Sequence, residues 1–450
     1  LLEAEQTHID GRIRTLRHGD MHGEQGAMRI PADHDLTRFY IGEMGLSLRE
    51  FVQVNGSAFL RARGRKVKMA DAPQILNEFD LTPQEKIDGD VKLWTSTITE
   101  LVNALTTEEM ADLWSDSPKT EKMRSFDRKS LYSLWAEHGF SNDAIQLLAS
   151  TWNLETSMHI SLTEHMREEV EGVWMERFDE VVGGLDKLPH SLSKSLRIKS
   201  GCPVIEIEQN NERVVALYVE NGKVENIEAD WIICTTPLGV LRRIKFSPSL
   251  SAKKMDAIRR VNYDSSTKVH AVAKKRFWEL DDGIFGGGSV SDGSLGSTWY
   301  PSDNAVESNP EVSNSQSIFL ASYCWGQTAR RMSKHTASSV LVQELAELHD
   351  SLHKDRSLIE DYVHWSWDDN EWSRGAYAFF QPGEHSELFE TLVAPEGRIL
   401  LAGEHCSYVH SWIQGAIASG LRAANYIAEA SSTSPSAAAS IMQGAGGPGA

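Results

Sequence analysis

The chain has 450 residues, too many for one compact core, so two or three domains are predicted. Acidic residues outnumber basic residues by 64 to 45, and the net charge of -19 argues against a nucleic-acid partner, because phosphates require a basic surface. The four cysteines are scattered without a Cys/His cluster, so we predict no zinc or other metal site and no disulfide framework, and no apolar run reaches the length of a membrane span.

The predicted elements begin with the end of a buried strand at residues 1–4 and a turn at Asp10-Gly11. Residues 36–54 are predicted to form one helix, because apolar side chains recur there at helical spacing. The apolar face of this helix comprises Leu36, Phe39, Tyr40 and Met44. From about residue 70 to residue 180, apolar residues recur at three- and four-residue spacing among charged ones, which predicts a run of helices.

The second half of the chain contains mainly strand patterns. Residues 206–229 are predicted to form a β meander with a turn at Asn221-Gly222. Residues 230–237 predict a short buried strand that a proline ends. Further strands are predicted within residues 268–300 and 317–325, separated by glycine-rich turns.

The last predicted elements are a buried strand at residues 398–402 and a helix that begins near Ser411. One face of that helix comprises Ile413, Ala416, Ile417, Gly420, Leu421 and Ala424. The final residues, 431–450, are rich in serine, alanine and glycine and are predicted to be disordered.

An acidic residue, Glu3, stands at the end of the first predicted strand, where a dinucleotide-binding fold binds a ribose hydroxyl. The same residue could equally be an ordinary solvated strand end. In such a fold a glycine-rich turn precedes the acid by about twenty residues, which is outside the sequence. Because a natural chain rarely starts inside a buried strand, we expect a missing N-terminal unit, with any targeting segment upstream, and leave both secretion and the cytoplasm open.

The most specific pattern runs from Gly403 to Gly420. A strand ends in Gly403-Glu404, and a helix begins a few residues later, after Ser411. The glutamate can accept a hydrogen bond from a ribityl hydroxyl, and the helix N-terminus offers N–H groups and a positive dipole end to an anion such as a reduced flavin. The alternative is a surface strand–turn–helix with an incidental glutamate.

Together with other segments, this pattern makes the chain similar to the flavin amine oxidase superfamily, which includes monoamine, polyamine and L-amino-acid oxidases. The matching segments are Leu2-Glu3-Ala4, Gly11 to Thr15, Gly26 to Arg29, Ala229 to Leu238, Thr267-Lys268, Trp365, Gly375 to Tyr377 and Gly403 to Gly420. The resemblance implies an α/β fold with a Rossmann-like FAD-binding domain built from discontinuous segments, a mixed-sheet substrate-binding domain and a helical insertion. The expected limits are 1–30, 176–262 and 386–430 for the FAD-binding domain, 31–70 and 263–385 for the substrate-binding domain, 71–175 for the helical domain and 431–450 for the disordered tail.

The resemblance also implies which residues contact FAD. At its adenosine end these are Glu3, Ala4, Arg12 and Val204. Elsewhere they are Gly26, Ala27, Met28, Arg29, Trp365, Glu404, Ser411, Trp412, Ile413, Gln414, Gly415 and Ala416. Ala376 stands where monoamine oxidases carry the cysteine that bonds to FAD, so the cofactor is expected to be noncovalent. Lys268 resembles the catalytic lysine that holds a water near the flavin, whereas spacing alone would favour a lysine on a strand surface.

Arg29 sets the expected substrate class. The segment from Gly26 to Pro31 resembles the one whose arginine binds the substrate carboxylate in L-amino-acid oxidases, and a guanidinium matches a carboxylate with two planar hydrogen bonds. The alternative is an arginine that binds FAD or a surface acid. Further substrate contacts are expected from Tyr323, Tyr377, Ser411 and Trp412.

Two positions depart from the family pattern. Glu168, with His165 close by, stands where venom members carry a helical-domain histidine, so that role is not transferred. Asp264 stands where an arginine precedes the family lysine by four residues, so side-chain recognition is expected to differ.

The expected activity is FAD-dependent oxidation of an L-amino acid to a 2-oxo acid, with release of ammonia and hydrogen peroxide. The expected partners are an L-amino acid and oxygen, and a homodimer is left open. The alternatives are a monoamine or polyamine oxidase, or an inactive flavoprotein fragment.

Overall fold

The computed structural model describes residues 1–174, 177–332 and 337–432. Its strands are β1 Thr15–His18, β2 Met21–Glu24, β3 Ile30–Pro31, β4 Leu48–Phe51, β5 Phe59–Ala62, β6 Arg65–Lys68, β7 Phe178–Val181, β8 Val204–Gln209, β9 Val214–Glu220, β10 Lys223–Ala229, β11 Ile232–Cys234, β12 Lys245–Ser247, β13 Asn262–Tyr263, β14 Ser266–Ala273, β15 Gly287–Ser291, β16 Ser297–Tyr300, β17 Ser317–Trp325, β18 Ile359–Ser366, β19 Ala378–Phe379 and β20 Ile399–Leu401.

Its α-helices are α1 Asp35–Glu43, α2 Pro83–Trp94, α3 Glu100–Asn103, α4 Thr107–Leu113, α5 Glu121–Asp127, α6 Leu131–Glu137, α7 Asn142–Thr151, α8 Leu162–Glu171, α9 Lys187–Ser193, α10 Leu238–Leu241, α11 Ala252–Arg260, α12 Phe277–Leu280, α13 Pro310–Ser313, α14 Gly326–Arg331, α15 Ala337–Leu348, α16 Asp350–Lys354, α17 Glu384–Val393 and α18 Ile413–Ser432. Short 3-10 helices span Met69–Glu78, Ser157–His159, Arg356–Leu358 and Glu404–Cys406, and a π-helical turn spans Thr95–Thr99.

The largest sheet has seven strands in the order β18-β14-β17-β16-β15-β5-β6. The strand β14, next to the edge strand β18, is buried along its whole length and pairs antiparallel with β17 on one side and β18 on the other. Large apolar side chains of the sheet and α12, among them Phe277, Trp278 and Phe319, form a core beneath it. This sheet carries Lys268 and therefore fixes one wall of the candidate site.

A second group of strands lies in the expected FAD-binding segments. The meander β8-β9-β10 is antiparallel and extends to β12, while β11 pairs parallel with β20. Asn221 and Gly222 both have positive φ, as a two-residue hairpin turn requires, so the predicted meander and its turn are confirmed. β20 is buried as predicted, whereas the predicted short strand at residues 230–237 forms as β11 but is only partly buried, with Cys234 buried and Ile233 exposed.

The run of helices predicted for residues 70–180 is confirmed from the 3-10 helix at Met69–Glu78 to the end of α8. Hydroxyl side chains cap many of these helices by accepting a hydrogen bond from a first-turn N–H, which satisfies donors that a helix start otherwise leaves open. These caps are Thr82, Thr106, Thr120, Ser130, Ser141 and Ser161. Residues 178–181 depart from the prediction because they form β7, which pairs with β3 and β4.

Two predicted helices differ in detail from the structure. The helix α1 ends at Glu43 and not near residue 54, because Gly45 takes a left-handed conformation and Leu48–Phe51 then pairs with β7 as a strand. Its buried residues are Thr37 and Ile41, while Phe39 is 57% exposed. In α18 the buried face consists of small residues, Gly415, Ser419, Ala423 and Ala430, and not of the predicted apolar stripe.

The molecule is thus a mixed α/β protein with several sheets and many helices. The residue limits of the three domains remain a prediction. Of the predicted disordered tail, Ser431 and Ser432 end α18, and residues 433–450 lie outside the described part. Among the described helices, none combines the length and apolar character needed to cross a membrane.

Candidate active site

Glu404 joins three segments that are distant in the chain. Its buried carboxylate accepts hydrogen bonds from Arg12 Nη1 at 2.7 Å and from the backbone N–H groups of Ala378 and Ser411 at 3.1 Å. Burial opposes its ionisation, but Arg12, His410 and His405 together outweigh that effect and hold the pKa of Glu404 below its usual value. Arg12 Nη1 also donates to the carbonyl of Ala376 at 2.9 Å. The carboxylate thus has protein donors of its own, and its expected contact with a cofactor remains a prediction.

Glu3, Ala4 and Val204, three of the four expected adenosine-binding residues, lie near the start of β8, whereas Arg12 lies with Glu404. The N–H of Glu3 donates to the carbonyl of Lys199 at 2.9 Å, and its carbonyl accepts from Cys202 at 2.8 Å. These bonds hold Glu3 and Ala4 beside the chain that leads into Val204. The pKa of Glu3 is raised, chiefly by burial.

The segment from Gly26 to Met28 packs against the loop that carries Arg12. A Cβ on Gly26 would lie 1.9 Å from the carbonyl oxygen of Arg12, so no side chain fits there. The N–H of Ala27 donates to the same carbonyl at 3.2 Å. Glycine is therefore required for this close approach.

Lys268 lies in one row with Tyr323 and Trp365, because the register of β14 pairs it with Tyr323 of β17 and Trp365 of β18. Its Nζ donates to the carbonyls of Glu24 at 3.0 Å and Gly26 at 2.6 Å and lies 4.4 Å from the centre of the Tyr323 ring. Burial lowers the pKa of Lys268 to about 7. At neutral pH a large fraction of this amine is therefore neutral and able to accept a proton.

Arg29 sits inside a box of aromatic rings. The guanidinium carbon lies 5.0 Å from the ring centres of both Trp174 and Trp299, 5.2 Å from Phe178 and 5.9 Å from Phe51. Nη1 donates to Gln53 Oε1 at 3.0 Å. In the described part of the chain no carboxylate lies within ion-pair distance of Arg29.

Because no carboxylate neutralises it among the described residues, the buried charge of Arg29 costs free energy. Burial lowers its pKa to about 10, well below the ordinary arginine value. A buried guanidinium without an anion is a site that a carboxylate ligand completes, since it offers paired planar donors. The four rings were not among the predicted site residues, because a large aromatic side chain is more often part of a core than of a site.

Glu168 links two indole rings at the edge of this box. Its carboxylate accepts from Trp412 Nε1 at 3.2 Å and from Trp174 Nε1 at 2.9 Å. The Trp412 ring also stacks on Phe178 at 6.4 Å. The predicted substrate contact Trp412 therefore reaches the Arg29 box, and Glu168 is a site residue whose role the sequence did not reveal.

Tyr377 and Tyr323 form a second aromatic group. The hydroxyl of Tyr377 donates to Asp264 Oδ2 at 3.3 Å, and its ring lies edge-on to Trp325 at 5.4 Å. Trp325 in turn packs against Tyr323 at 4.6 Å. The structure thus connects Tyr377 to the row that contains Lys268, and it places Asp264 in contact with that group.

The start of α18 provides backbone donors. Ser411 has a φ of 66°, a left-handed conformation that non-glycine residues seldom adopt, and its N–H is turned towards Glu404. The Gln414 side chain accepts from the N–H of Thr37 at 3.0 Å, so it ties α18 to α1. A Cβ on Gly415 would lie 2.1 Å from the carbonyl oxygen of Val409. The expected contacts of Ile413, Gln414, Gly415 and Ala416 with a cofactor would come from their backbone.

The arrangement fits a flavin dinucleotide on two observations. Trp365 Nε1 is buried and has no hydrogen-bond partner among the described residues, so it is a donor available to a ligand. The first N–H groups of an α-helix lack carbonyl partners within the helix, so the N-terminus of the 20-residue α18, with its positive dipole end, suits an anionic group.

Comparison with known proteins shows which family and which relatives the chain is similar to. Residues 1–428 match the family described as flavin containing amine oxidoreductases. The chain is 30% identical over 449 residues to the L-amino acid oxidase bordonein-L of Crotalus durissus terrificus, which covers 96% of this chain and 82% of that protein. It is 29% identical over 446 residues to the L-amino-acid oxidase of Gloydius halys, covering 96% and 84% of the two chains.

Two solved structures share the fold. A putrescine oxidase bound to putrescine superposes with a TM-score of 0.73 at 19% identity and covers 95% of this chain and 93% of its own. The cyclohexylamine oxidase of Brevibacterium oxydans IH-35A superposes with a TM-score of 0.74 at 17% identity, with 95% and 92% covered.

Proposed function

Because the chain belongs to the family of flavin containing amine oxidoreductases, we propose that it is an L-amino-acid oxidase with noncovalent FAD. In the proposed reaction an L-amino acid, oxygen and water yield a 2-oxo acid, ammonia and hydrogen peroxide. Two electrons leave the Cα–N unit of the substrate, oxygen receives them, and water replaces the nitrogen. The substrate is thus a small molecule that carries both an amine and a carboxylate.

The observation that supports the proposal is that Arg29 lies among four aromatic rings with no carboxylate at ion-pair distance in the described part of the chain. A guanidinium held among four rings, with its pKa lowered by burial, gains an ion pair and two hydrogen bonds when a carboxylate binds. A simple amine has no group to offer it. The relatives at about 30% identity that are named L-amino-acid oxidases support the same choice.

The residues that we expect to hold FAD come from several segments of the chain. Glu3 and Val204 would receive the adenosine end, while Gly26 and the first turn of α18 would receive the remainder. When bound, FAD supplies the two-electron acceptor for the substrate. Ala376 has no side-chain group able to bond covalently to it, and its carbonyl is already held by Arg12.

The protein's own residues would bind and orient the substrate. Arg29 holds the carboxylate, and Trp412 and Tyr377 confine the amine and the side chain between aromatic walls. Lys268, neutral for part of the time at pH 7, would hold a water at Nζ or take a proton there. None of these roles requires a strong base if the substrate amine binds in its neutral form.

A monoamine or polyamine oxidase is the second candidate. The carboxylates of Glu168 and Asp264, which lie against the rings of Trp412 and Tyr377, favour a substrate that carries a positive charge. Substrate and product identity separate the two functions. An L-amino-acid oxidase gives a 2-oxo acid, whereas an amine oxidase acting on a primary amine gives an aldehyde.

The test is a panel of the twenty L-amino acids and a set of alkylamines and polyamines, followed by peroxide release and product identification. We expect at least one L-amino acid to give equal amounts of peroxide, ammonia and 2-oxo acid. D-amino acids are the matched controls and should give none. Aldehyde production from amines alone would contradict the proposal.

A further inference from the structure

Three side chains that are not among the predicted site residues converge on one point. Asp10 comes from the loop before β1, and Asp186 and His190 come from the start and the second turn of α9. One carboxylate oxygen of each aspartate and one ring nitrogen of the histidine all lie within 4.8 Å of one another. Asp186 and His190 are four residues apart, so they lie on the same face of the helix.

Asp10 is the unusual member of this group. Its side chain is only 2% exposed, and its Oδ1 is buried without a hydrogen-bond partner in the described part of the chain. Its Oδ2 lies 3.6 Å from His8 Nδ1, which is too long for a hydrogen bond. A buried carboxylate oxygen without a donor costs stability unless a cation or a donor reaches it.

Neither of the two neighbouring arginines donates a hydrogen bond to Asp10 Oδ1. Arg17 binds Asp186 and Arg14 stacks on Trp365 at 4.1 Å, so neither guanidinium bonds to Asp10. The pKa of Asp10 is raised, chiefly by burial. His190 is exposed and can turn its ring towards the two aspartates.

We propose that Asp10, Asp186 and His190 form a binding site for a divalent transition-metal cation of the zinc type. Two ligands that each lie about 2.1 Å from one zinc ion are at most ~4.2 Å apart, so small side-chain rotations bring this group to coordinating distance. An imidazole with only a few oxygen ligands suits zinc better than calcium or magnesium, which require more oxygen atoms.

Such an ion would connect α9 to the loop that leads into Arg12. That loop carries the guanidinium bound to Glu404, so the cation would act on the position of a site residue without touching the substrate. The pattern was not visible in the sequence because the ligands come from two distant segments, and no Cys/His spacing marks them.

The test uses the full chain, with any flavin that it carries, after dialysis against a chelator. Zinc chloride is titrated in competition with a chromophoric chelator, and the melting temperature is measured with and without zinc. We expect one zinc per chain and a rise in melting temperature. His190→Gln, at an exposed position that leaves the core intact, should weaken binding by at least about tenfold, since removal of even an outer partner has that effect.

Asp10→Asn should weaken zinc binding similarly, whereas His353→Gln, at an exposed histidine of α16, is the matched control and should leave it unchanged. Unaltered zinc affinity in His190→Gln, or loss of the same size in His353→Gln, would overturn the proposal. So would equal binding of calcium or magnesium, because that is the behaviour of any acidic surface.

Discussion

At the scale of single residues, the candidate site differs from the rest of the protein in how its charges are partnered. Arg276 lies in a buried group in which Asp303 and Glu279 neutralise its charge. Lys268 and Arg29 have backbone carbonyls, an amide and aromatic rings around them instead, and burial lowers the pKa of both. Charges left without counter-ions cost stability, which points to a role in binding or chemistry.

The pKa of Lys268 gives a prediction for pH dependence. Its pKa in the folded protein, about 7, is below that of an unfolded lysine, 10.5, so between these values the unfolded chain binds more protons and stability rises with pH. The neutral amine forms as the pH rises through about 7. We therefore expect the rate of flavin reduction in the wild type to rise as the pH increases through about 7.

Lys268→Met should remove that dependence and slow flavin reduction or reoxidation by roughly a hundredfold, while the melting temperature changes little. Stopped-flow absorbance across pH 6 to 9 measures both half-reactions. Lys274→Met, at an exposed lysine six residues further along the chain, is the control and should behave like the wild type. If the Lys268 variant keeps wild-type rates and pH dependence, the lysine has no role in the chemistry.

Glu168 gives a prediction for substrate preference. Its carboxylate bonds to Trp174, whose ring lies 5.0 Å from the Arg29 guanidinium, and so adds negative charge near the expected carboxylate-binding group. Glu168→Gln keeps a hydrogen-bond acceptor and removes the charge. We expect kcat/KM to shift towards neutral amino acids and away from lysine and arginine by about 1 kcal/mol, roughly fivefold.

Glu169→Gln is the matched control, because Glu169 bonds instead to Trp94 and Thr99 within the helical segment. Its ratio of kcat/KM for lysine against leucine should stay at the wild-type value. If Glu168→Gln and Glu169→Gln gave the same ratio of kcat/KM for lysine against leucine, Glu168 would have no effect on the preference for substrate charge.

At the scale of elements, α18 shows what sequence patterns can and cannot predict. Its existence follows from helical spacing, and its approximate start near Ser411 was correct. The prediction of its buried face was wrong. The apolar pattern favours isoleucine and leucine, whereas the close packing of this helix needs small residues. The contact of Gly415 with the carbonyl of Val409 is a tertiary feature that no local pattern encodes.

Two glycines of α18 give a matched pair of variants. Gly415→Ala would place a methyl group 2.1 Å from a carbonyl oxygen and should destabilise the protein by about 1–3 kcal/mol, with loss of flavin. Gly420→Ala meets nothing within 4 Å and should stabilise the helix by about 0.5–1 kcal/mol. Melting temperature and flavin content per chain are the measurements. Equal behaviour of the two variants would mean that the start of α18 is not closely packed.

Strand register explains why some site residues could be predicted and others not. Lys268, Tyr323 and Trp365 were each expected from segment resemblance, but only the pairing of β14 with β17 and β18 shows that they form one row. The four rings around Arg29 come from three separate segments of the chain and have no local signature. The strand β4 was missed because residues 48–51 continue the spacing of a helix that Gly45 ends.

At the scale of the whole molecule, the described residues form several separate cores. One core lies with the seven-stranded sheet, a second within the helical segment and a third behind β11 and β20. His410 bonds to Glu164 of α8 at 2.9 Å and joins the C-terminal segment to the helical one. In the proposal FAD is held without a covalent bond by residues of the FAD-binding segments and by Trp365 of the seven-stranded sheet.

Noncovalent attachment is tested by acid precipitation of the flavin-loaded protein. Because Ala376 offers no thiol at the position in question, FAD should appear in the supernatant and leave a colourless pellet. Chromatography of the supernatant should show intact FAD in equal amounts to the chain. Yellow colour retained in the washed pellet would contradict the expectation and require a bond at another residue.

The central claim, that Arg29 makes this protein act on amino acids, is tested most directly with one pair of substrates and one variant. L-leucine and 3-methylbutylamine differ only in the carboxylate, so their kcat/KM values in the wild type and in Arg29→Ala form a thermodynamic cycle. We expect the variant, with normal flavin content, to lose about 2–5 kcal/mol of transition-state binding for leucine, thirtyfold or more, and little for the amine. Equal losses for both substrates, or an unchanged value for leucine, would contradict the account.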